Sequence, residues 1–339
     1  MDQIKSVIVV GTSAGGLQAL SQMLKNTPES MDAAIFVVLH VSSHSTGNIL
    51  VQHLQKQTSF VCRIPEDGEA IQGKHVYIAK PNFHMLLKRG IIRMIKGPHE
   101  NRWRPSIDVL FRSAAANYNS KVTGIILTGL LDDGTSGMIA IKRCGGTCIV
   151  QEPDEAEFSD MPKSVLNHVE VDYRVPVSDI GYILDDMNSQ PVNPETIVPD
   201  DIRIEDEITE KMNSSIDSLK KIGTQSNYTC PDCGGTLFLI NRKDSLLRYR
   251  CFTGHAYTEQ LLLDKQSEAL EDSLWITIRR MEERKNLLQA AAKHLEELNH
   301  EGLKAEKLEQ AEDINIHLER LKMLLVSLSI KTGSNNGFE

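Results

Sequence analysis

Residues of three kinds that together hydrolyse esters stand at the ends of three apolar runs in this 339-residue chain. They are Ser13 in VIVVGTSAGG, His40 at the end of AAIFVVLH, and the acidic pair Asp132 and Asp133 in GIILTGLLDDGTSGM. A serine hydroxyl is a poor nucleophile until a base takes its proton, and an imidazole serves best when a carboxylate orients it. The order Gly11-Thr12-Ser13-Ala14-Gly15 satisfies G-x-S-x-G, whose small flanking residues let a serine project from a strand-to-helix turn. Such a turn also suits a phosphate held on backbone amides. Here, however, serine takes the place of the second glycine of a dinucleotide fingerprint, and no Gly-Lys-Ser/Thr follows. The plain alternative for His40 is a satisfied core histidine, and His44 is an alternative base deeper in the following loop.

Chemistry requires that these groups meet, and the surrounding pattern supplies a frame. Up to about residue 190, apolar runs at 7–10, 34–39, 75–79, 122–127, 148–151 and 171–175 alternate with helical patterns at 17–24, 47–56, 107–116, 137–142 and 163–168. Fully apolar strands alternating with helices predict an α/β fold: a doubly wound, mostly parallel sheet with helices on both faces. In such a sheet the carboxyl ends of the strands face one crevice, so the three runs deliver serine, histidine and carboxylate to one place. The stretch MLLKRGIIRMIKG interrupts this rhythm and predicts an inserted hairpin turning at Arg89-Gly90.

Three further segments follow. Residues 189–227 are proline-rich and acidic and predict a linker after an esterase-like domain spanning 1–188. Residues 228–257 contain Cys230, Cys233, Cys251 and His255, spaced C-x2-C, seventeen residues, then C-x3-H. That pattern predicts a structural zinc site in a small zinc-ribbon-like β unit, since four protein ligands leave no open position for catalysis. A redox C-x-x-C pair is the competing reading, and it leaves Cys251 and His255 unexplained. Residues 258–332 predict a helical hairpin or coiled coil, with Ala311, Ile314, Leu318, Leu321, Leu325 and Leu328 on one seam and Leu274, Ile278, Met281, Leu288 and Leu295 facing it.

Charge and composition exclude several classes. The net charge is −9, with 18 Lys+Arg against 20 Asp+Glu up to residue 190 and 19 against 26 beyond it, so neither half has a nucleic-acid binder's basic excess. No apolar run reaches the ~18–20 residues of a membrane span and the start is not a signal peptide, so the expectation is a cytoplasmic protein without membrane insertion. A basic cluster, Lys88, Arg89, Arg93, Lys96, Arg102 and Arg104, is either a solvated surface or a face for an acidic partner.

Four stretches, VGTSAGG, HVYIAKPNFHM, RPSIDVLFRS and ILTGLLDDGTSGM, match in order and spacing the catalytic domain of the CheB-type chemotaxis protein-glutamate methylesterases. The resemblance covers residues 3 to about 187. It implies Ser13 as nucleophile, His40 as base and Asp133, which directly precedes Gly134, as orienting acid. It also implies an oxyanion site at the backbone amides around Ala14 and Leu130, and no cofactor for catalysis. The implied substrates are glutamate γ-methyl esters of methyl-accepting chemotaxis receptors, with receptor glutamine deamidation as a second reaction. Arg89, Arg93, Arg102 and Arg104 would then face the acidic receptor helices. The sequence departs from the family in Val41-Ser42-Ser43, where relatives often carry proline, and in Leu131, which replaces a common glycine. The first strand begins near Ser6, which leads to the expectation that no receiver domain precedes it. A methyltransferase or other signalling protein is a possible partner for the C-terminal helices. The rival readings are a signalling adaptor working through the zinc unit and hairpin, and an esterase with another substrate.

Overall fold

The computed structural model describes residues 6–40, 47–189, 196–212, 215–240 and 245–333. His44, the loop residues Val41 to Ser43 and residues 190–195 of the expected linker lie outside them. The chain divides into two compact units, Met1–Leu261 and Leu262–Glu339.

The first unit is built on seven parallel strands: β1 (Ser6–Thr12), β2 (Ala33–Leu39), β3 (Val61–Arg63), β4 (His75–Ile78), and beyond the hairpin β5 (His84–Lys88) and β6 (Ile91–Ile95), β7 (Val122–Ile126), β8 (Thr147–Gln151) and β9 (Tyr173–Val175). The sheet order is β3-β4-β2-β1-β7-β8-β9, with β5 and β6 paired separately as the expected hairpin. Alternation along β1 sorts its side chains into two cores. Ile8 and Val10 pack with helices α1 (Gly16–Lys25), α2 (Gly47–Gln55) and a sequence-silent α6 (Val177–Ser189). Val7 and Val9 pack on the other face with α3 (Ile107–Tyr118), α4 (Thr135–Arg143) and α5 (Asp160–His168). The predicted two-faced α/β sheet is therefore present. Because β2 lies on one side of β1 and β7 on the other, the strand order reverses at β1, the place where such sheets open a crevice.

Within the stretch expected as a linker, residues 200–211 form helix α7 (Asp200–Lys211) and residues 216–222 form α8 (Ile216–Ile222). Helix α7 escapes a reading by apolar period because it buries charge. Glu205 and Asp206 are buried along with Ile202 and Ile208. Four antiparallel strands follow, β10 (Gly223–Thr229), β11 (Thr236–Ile240), β12 (Arg248–Cys251) and β13 (Ala256–Thr258). The cysteine- and histidine-bearing segment is thus part of a larger sheet, and that sheet packs within the first unit rather than standing apart.

The second unit contains most of α9 (Glu259–Glu297) and all of α10 (Glu301–Gly333). Ile278, Leu318 and Leu325 are buried between them, with Leu274, Met281, Ile314 and Leu321 alongside, which is the predicted seam. Lys322 reaches across to Glu282 at 3.1 Å. Among the described residues no helix is long and apolar enough to cross a membrane.

Candidate functional site

The register of the sheet brings the first two residues together. Thr12 on β1 pairs with Leu39 on β2, and the His40 amide donates to the Thr12 carbonyl at 3.1 Å. Ser13 and His40 therefore occupy adjoining strand tips, about 4.8 Å apart in strand spacing. On the other side of Ser13, its amide donates to the Thr128 carbonyl at 3.1 Å, beyond the end of β7. Gly129 is required there. A Cβ at that position would lie 2.1 Å from Met161 Sδ and 2.9 Å from the Ser13 Cβ. Gly15, at φ +71°, turns the chain into α1 and leaves no room for a side chain against Glu157.

Asp133 is held by the start of a neighbouring helix. Its Oδ1 accepts from the Ser106 hydroxyl at 3.0 Å and the Asp108 amide at 3.3 Å, and its Oδ2 accepts from the Ile107 amide at 2.8 Å. Asp108 returns the arrangement, accepting from the Gly134 and Gly137 amides at 3.0 and 2.7 Å. Helices α3 and α4 thus cap each other with carboxylates, each placed where the opposing helix dipole is positive. Burial and the neighbouring Asp133 charge push the Asp108 carboxyl well above the usual carboxylate range.

The His40 side chain is 2% exposed, and its Nε2 lies 3.2 Å from Asp133 Oδ2. This contact is close without the alignment of a hydrogen bond, and Nδ1 has no partner among the described residues either. Trp103, which the sequence did not single out, stacks on the imidazole with ring centroids 3.9 Å apart and planes at 10°. No hydrogen bond joins Ser13 to His40 among the described residues. Nor is an acceptor found there for the Ala14 or Leu130 amide. Leu131 adopts φ 66°, a left-handed conformation that favours glycine.

His84 was also missed by sequence reasoning. Its Nδ1 accepts from the Ser106 amide at 3.2 Å and its Nε2 faces the Pro98 carbonyl at 2.8 Å, so one neutral tautomer serves both. Burial lowers its pKa to about 4. The histidine ties the start of α3 to the loop carrying Trp103.

The basic cluster is largely engaged internally. Arg93 pairs with Asp67 at 2.8 Å and Glu210 at 3.5 Å, Lys88 pairs with Asp206 at 2.7 Å and Glu210 at 2.9 Å, and Arg104 donates to the Gly97 carbonyl at 2.8 Å. Arg89 sits at the hairpin tip, five residues and therefore about 17 Å beyond His84. Of the four arginines expected to meet a substrate, Arg102 alone is both exposed and on the turn that carries Trp103.

At the second site, Cys230, Cys233, Cys251 and His255 bring one ligand atom each within 4.8 Å of one another. The Cys233–Cys251 sulfurs are 3.7 Å apart, and His255 Nδ1 lies 3.7 and 3.6 Å from the sulfurs of Cys230 and Cys251. A tetrahedral ion with metal–sulfur bonds of about 2.3 Å and metal–nitrogen bonds of about 2.0 Å needs edges of roughly 3.5–3.8 Å, so these three edges fit. Gly234 and Gly254, both at positive φ, donate their amides to the Cys230 and Cys251 carbonyls and close two matching knuckles. Hydrogen bonding to Cys230 holds the Cys251 thiol down to about 7 and the His255 imidazole up to about 9. The cluster can hold a metal ion.

Fold and strand tips together define a doubly wound α/β protein with serine, histidine and aspartate gathered at its switch point. The family description CheB methylesterase matches residues 8–184, just over half of the chain, and the chain belongs to that family. A protein from Leptospira interrogans is 37% identical over 175 residues, covering 51% of this chain and 90% of that protein. The protein-glutamate methylesterase/protein-glutamine glutaminase of Thermotoga maritima is 34% identical over 174 residues, half of each chain. The crystal structure of the Thermotoga maritima CheB methylesterase catalytic domain matches with a TM-score of 0.51 and 32% identity, covering 54% of this chain and 98% of that one.

Proposed function

We propose that the protein hydrolyses glutamate γ-methyl esters on methyl-accepting chemotaxis receptors, and deamidates receptor glutamines more slowly, with Ser13, His40 and Asp133 as the catalytic set. The observation that carries this reading is the 3.2 Å approach of the buried His40 Nε2 to Asp133 at the strand tip beside Ser13. With Nε2 protonated and facing the carboxylate, Nδ1 is the nitrogen left to take the Ser13 proton. The missing serine–histidine bond is one that substrate-free sites often leave loose.

Attack of the Ser13 hydroxyl on the ester carbonyl forms a tetrahedral oxyanion. The Ala14 and Leu130 amides face it, each donor worth about 10²–10³ in rate. His40 passes its proton to the methoxide, methanol leaves, and water repeats the sequence on the acyl-serine to restore the free carboxylate. Arg102, beside the cleft, is the arginine best placed to meet an acidic receptor helix, while Arg93 and Arg104 support the scaffold. The cluster of Cys230, Cys233, Cys251 and His255 holds a structural zinc ion. The protein works in the cytoplasm, and exposed Trp275, Ile276 and Leu287 of the helical hairpin offer a face to a further signalling protein.

Methanol release from methylated receptor tests the reaction. Wild type releases methanol and Ser13→Ala does not. Release by Ser13→Ala would place the nucleophile elsewhere. Activity on a generic ester without activity on receptor would assign another substrate.

A further inference from the structure

The imidazole of His40 is buried, yet among the described residues no hydrogen bond fixes either ring nitrogen. Packing must therefore set its plane, and the flat surface lying on it is Trp103. Trp103 ends a tight turn closed by reciprocal backbone bonds with Glu100, at 2.9 and 3.3 Å. The two central residues, Asn101 and Arg102, have φ of 49° and 69°. Left-handed geometry is uncommon outside glycine, and at a residue such as Arg102 it persists only where the surroundings enforce it.

Part of what enforces it comes from the Cys/His sheet. The Asn101 amide donates to the Ala256 carbonyl at 3.0 Å, and Glu100 pairs with Ala256 as a bridge to β13. The buried Glu100 carboxylate is gripped by Arg112 of α3 at 2.9 Å and by Arg250 of β12 at 2.8 Å. Burial would raise its pKa, but Arg112 and Arg250 outweigh that and bring it to about 2. Arg250 precedes Cys251 and Ala256 follows His255, so the two anchors are neighbours of the cluster ligands. Thr258 of the same β13 hydrogen-bonds Asp132, the residue before Asp133.

We infer that Trp103 is a positioning residue for His40, and that the C-terminal Cys/His sheet holds it there through Glu100–Arg250 and Asn101–Ala256. The sheet is thus part of the support of the active site. This rests on the reading of His40 as the base, but one arm of its test needs no substrate.

Trp103 and Trp275 are the two tryptophans, so the full-length Trp275→Phe protein reports on Trp103 alone. An imidazole stacked on an indole alters its fluorescence, so removing the ring by His40→Gln should give a step in Trp103 fluorescence at fixed pH. Trp103→Leu should lower kcat for methanol release by about 10²-fold, the scale of a 1 Å misplacement, with KM nearly unchanged. Trp103→Phe, which keeps a flat ring, should restore most of it. Arg250→Lys, which loses the planar fork, should shrink the fluorescence step and lower kcat together. If that variant does not fold, the nearly isosteric Thr258→Val takes its place with a smaller loss in both readouts.

Full kcat in Trp103→Leu would overturn the positioning role. An unchanged step and kcat in a folded Arg250→Lys, or in Thr258→Val where Arg250→Lys does not fold, would overturn the role of the sheet. A fluorescence step in a protein with no methylesterase activity would keep the positioning and discard the proposed reaction.

Discussion

Replacing Asp133 by Asn separates orientation from folding more sharply than any other change at this site. The carboxylate oxygens accept from three donors, Ser106 Oγ, Ile107 N and Asp108 N, while Oδ2 also lies 3.2 Å from His40 Nε2. An amide keeps one acceptor oxygen. If its NH2 faces His40, the ring must present a lone pair at Nε2 and carry its proton on Nδ1, which then cannot receive the Ser13 proton. The wrong tautomer of a catalytic histidine costs about 10⁴ in kcat, or about 5 kcal/mol of transition-state stabilisation. Stability should move far less. Losing a charge-assisted hydrogen bond costs about 1.5–3 kcal/mol, but removing the Asp133 charge relieves the repulsion that helps raise the Asp108 pKa. The net change should stay under about 2 kcal/mol. Methanol release gives the first quantity and urea denaturation the second. A folded Asp133→Asn protein within tenfold of wild-type kcat would refute the orienting role.

Acid should weaken the fold through His84, whose pKa falls from 6.5 to about 4 by burial. As pH drops through this window the unfolded chain takes a proton that the folded chain refuses, so about 3 kcal/mol of stability is lost. His84→Gln should flatten that slope in denaturation measured from pH 7 to 4, and an unchanged slope would assign the acid sensitivity elsewhere. Gly129→Ala drives a methyl into Met161 and the Ser13 Cβ. It should cost about 1–3 kcal/mol of overpacking strain and most of the activity, read by thermal melting and methanol release; a melting temperature and kcat equal to wild type would show that the close approach is dispensable. Fresh reduced protein should carry about one zinc ion per chain, and Cys251→Ser should lose it and melt earlier. Elemental analysis showing well under one ion in wild type would defeat the zinc assignment.

What the sequence determined by itself was whatever depends on local period and short spacing. Apolar strands alternating with helices set the doubly wound sheet. Because parallel strands end on one edge, the sequence assigns Ser13, His40 and the Asp132–Asp133 pair to one crevice. C-x2-C and C-x3-H fixed two knuckles, since each closes within five residues. Seam positions such as Ile314, Leu318, Leu321 and Leu325 recur at helical spacing and carried the hairpin.

Tertiary structure alone decided what is held by charge across long separations. Helix α7 looked like a linker because its buried residues include Glu205, which is neutralised by Arg248 and Arg250 some forty residues away. Glu100 finds Arg250 across 150 residues. Nothing in the local pattern of either residue signals burial, because the desolvation of a carboxylate is tolerated only when its partners arrive from elsewhere in the fold. The same reason hid Trp103: its role comes from the imidazole that another strand places against it.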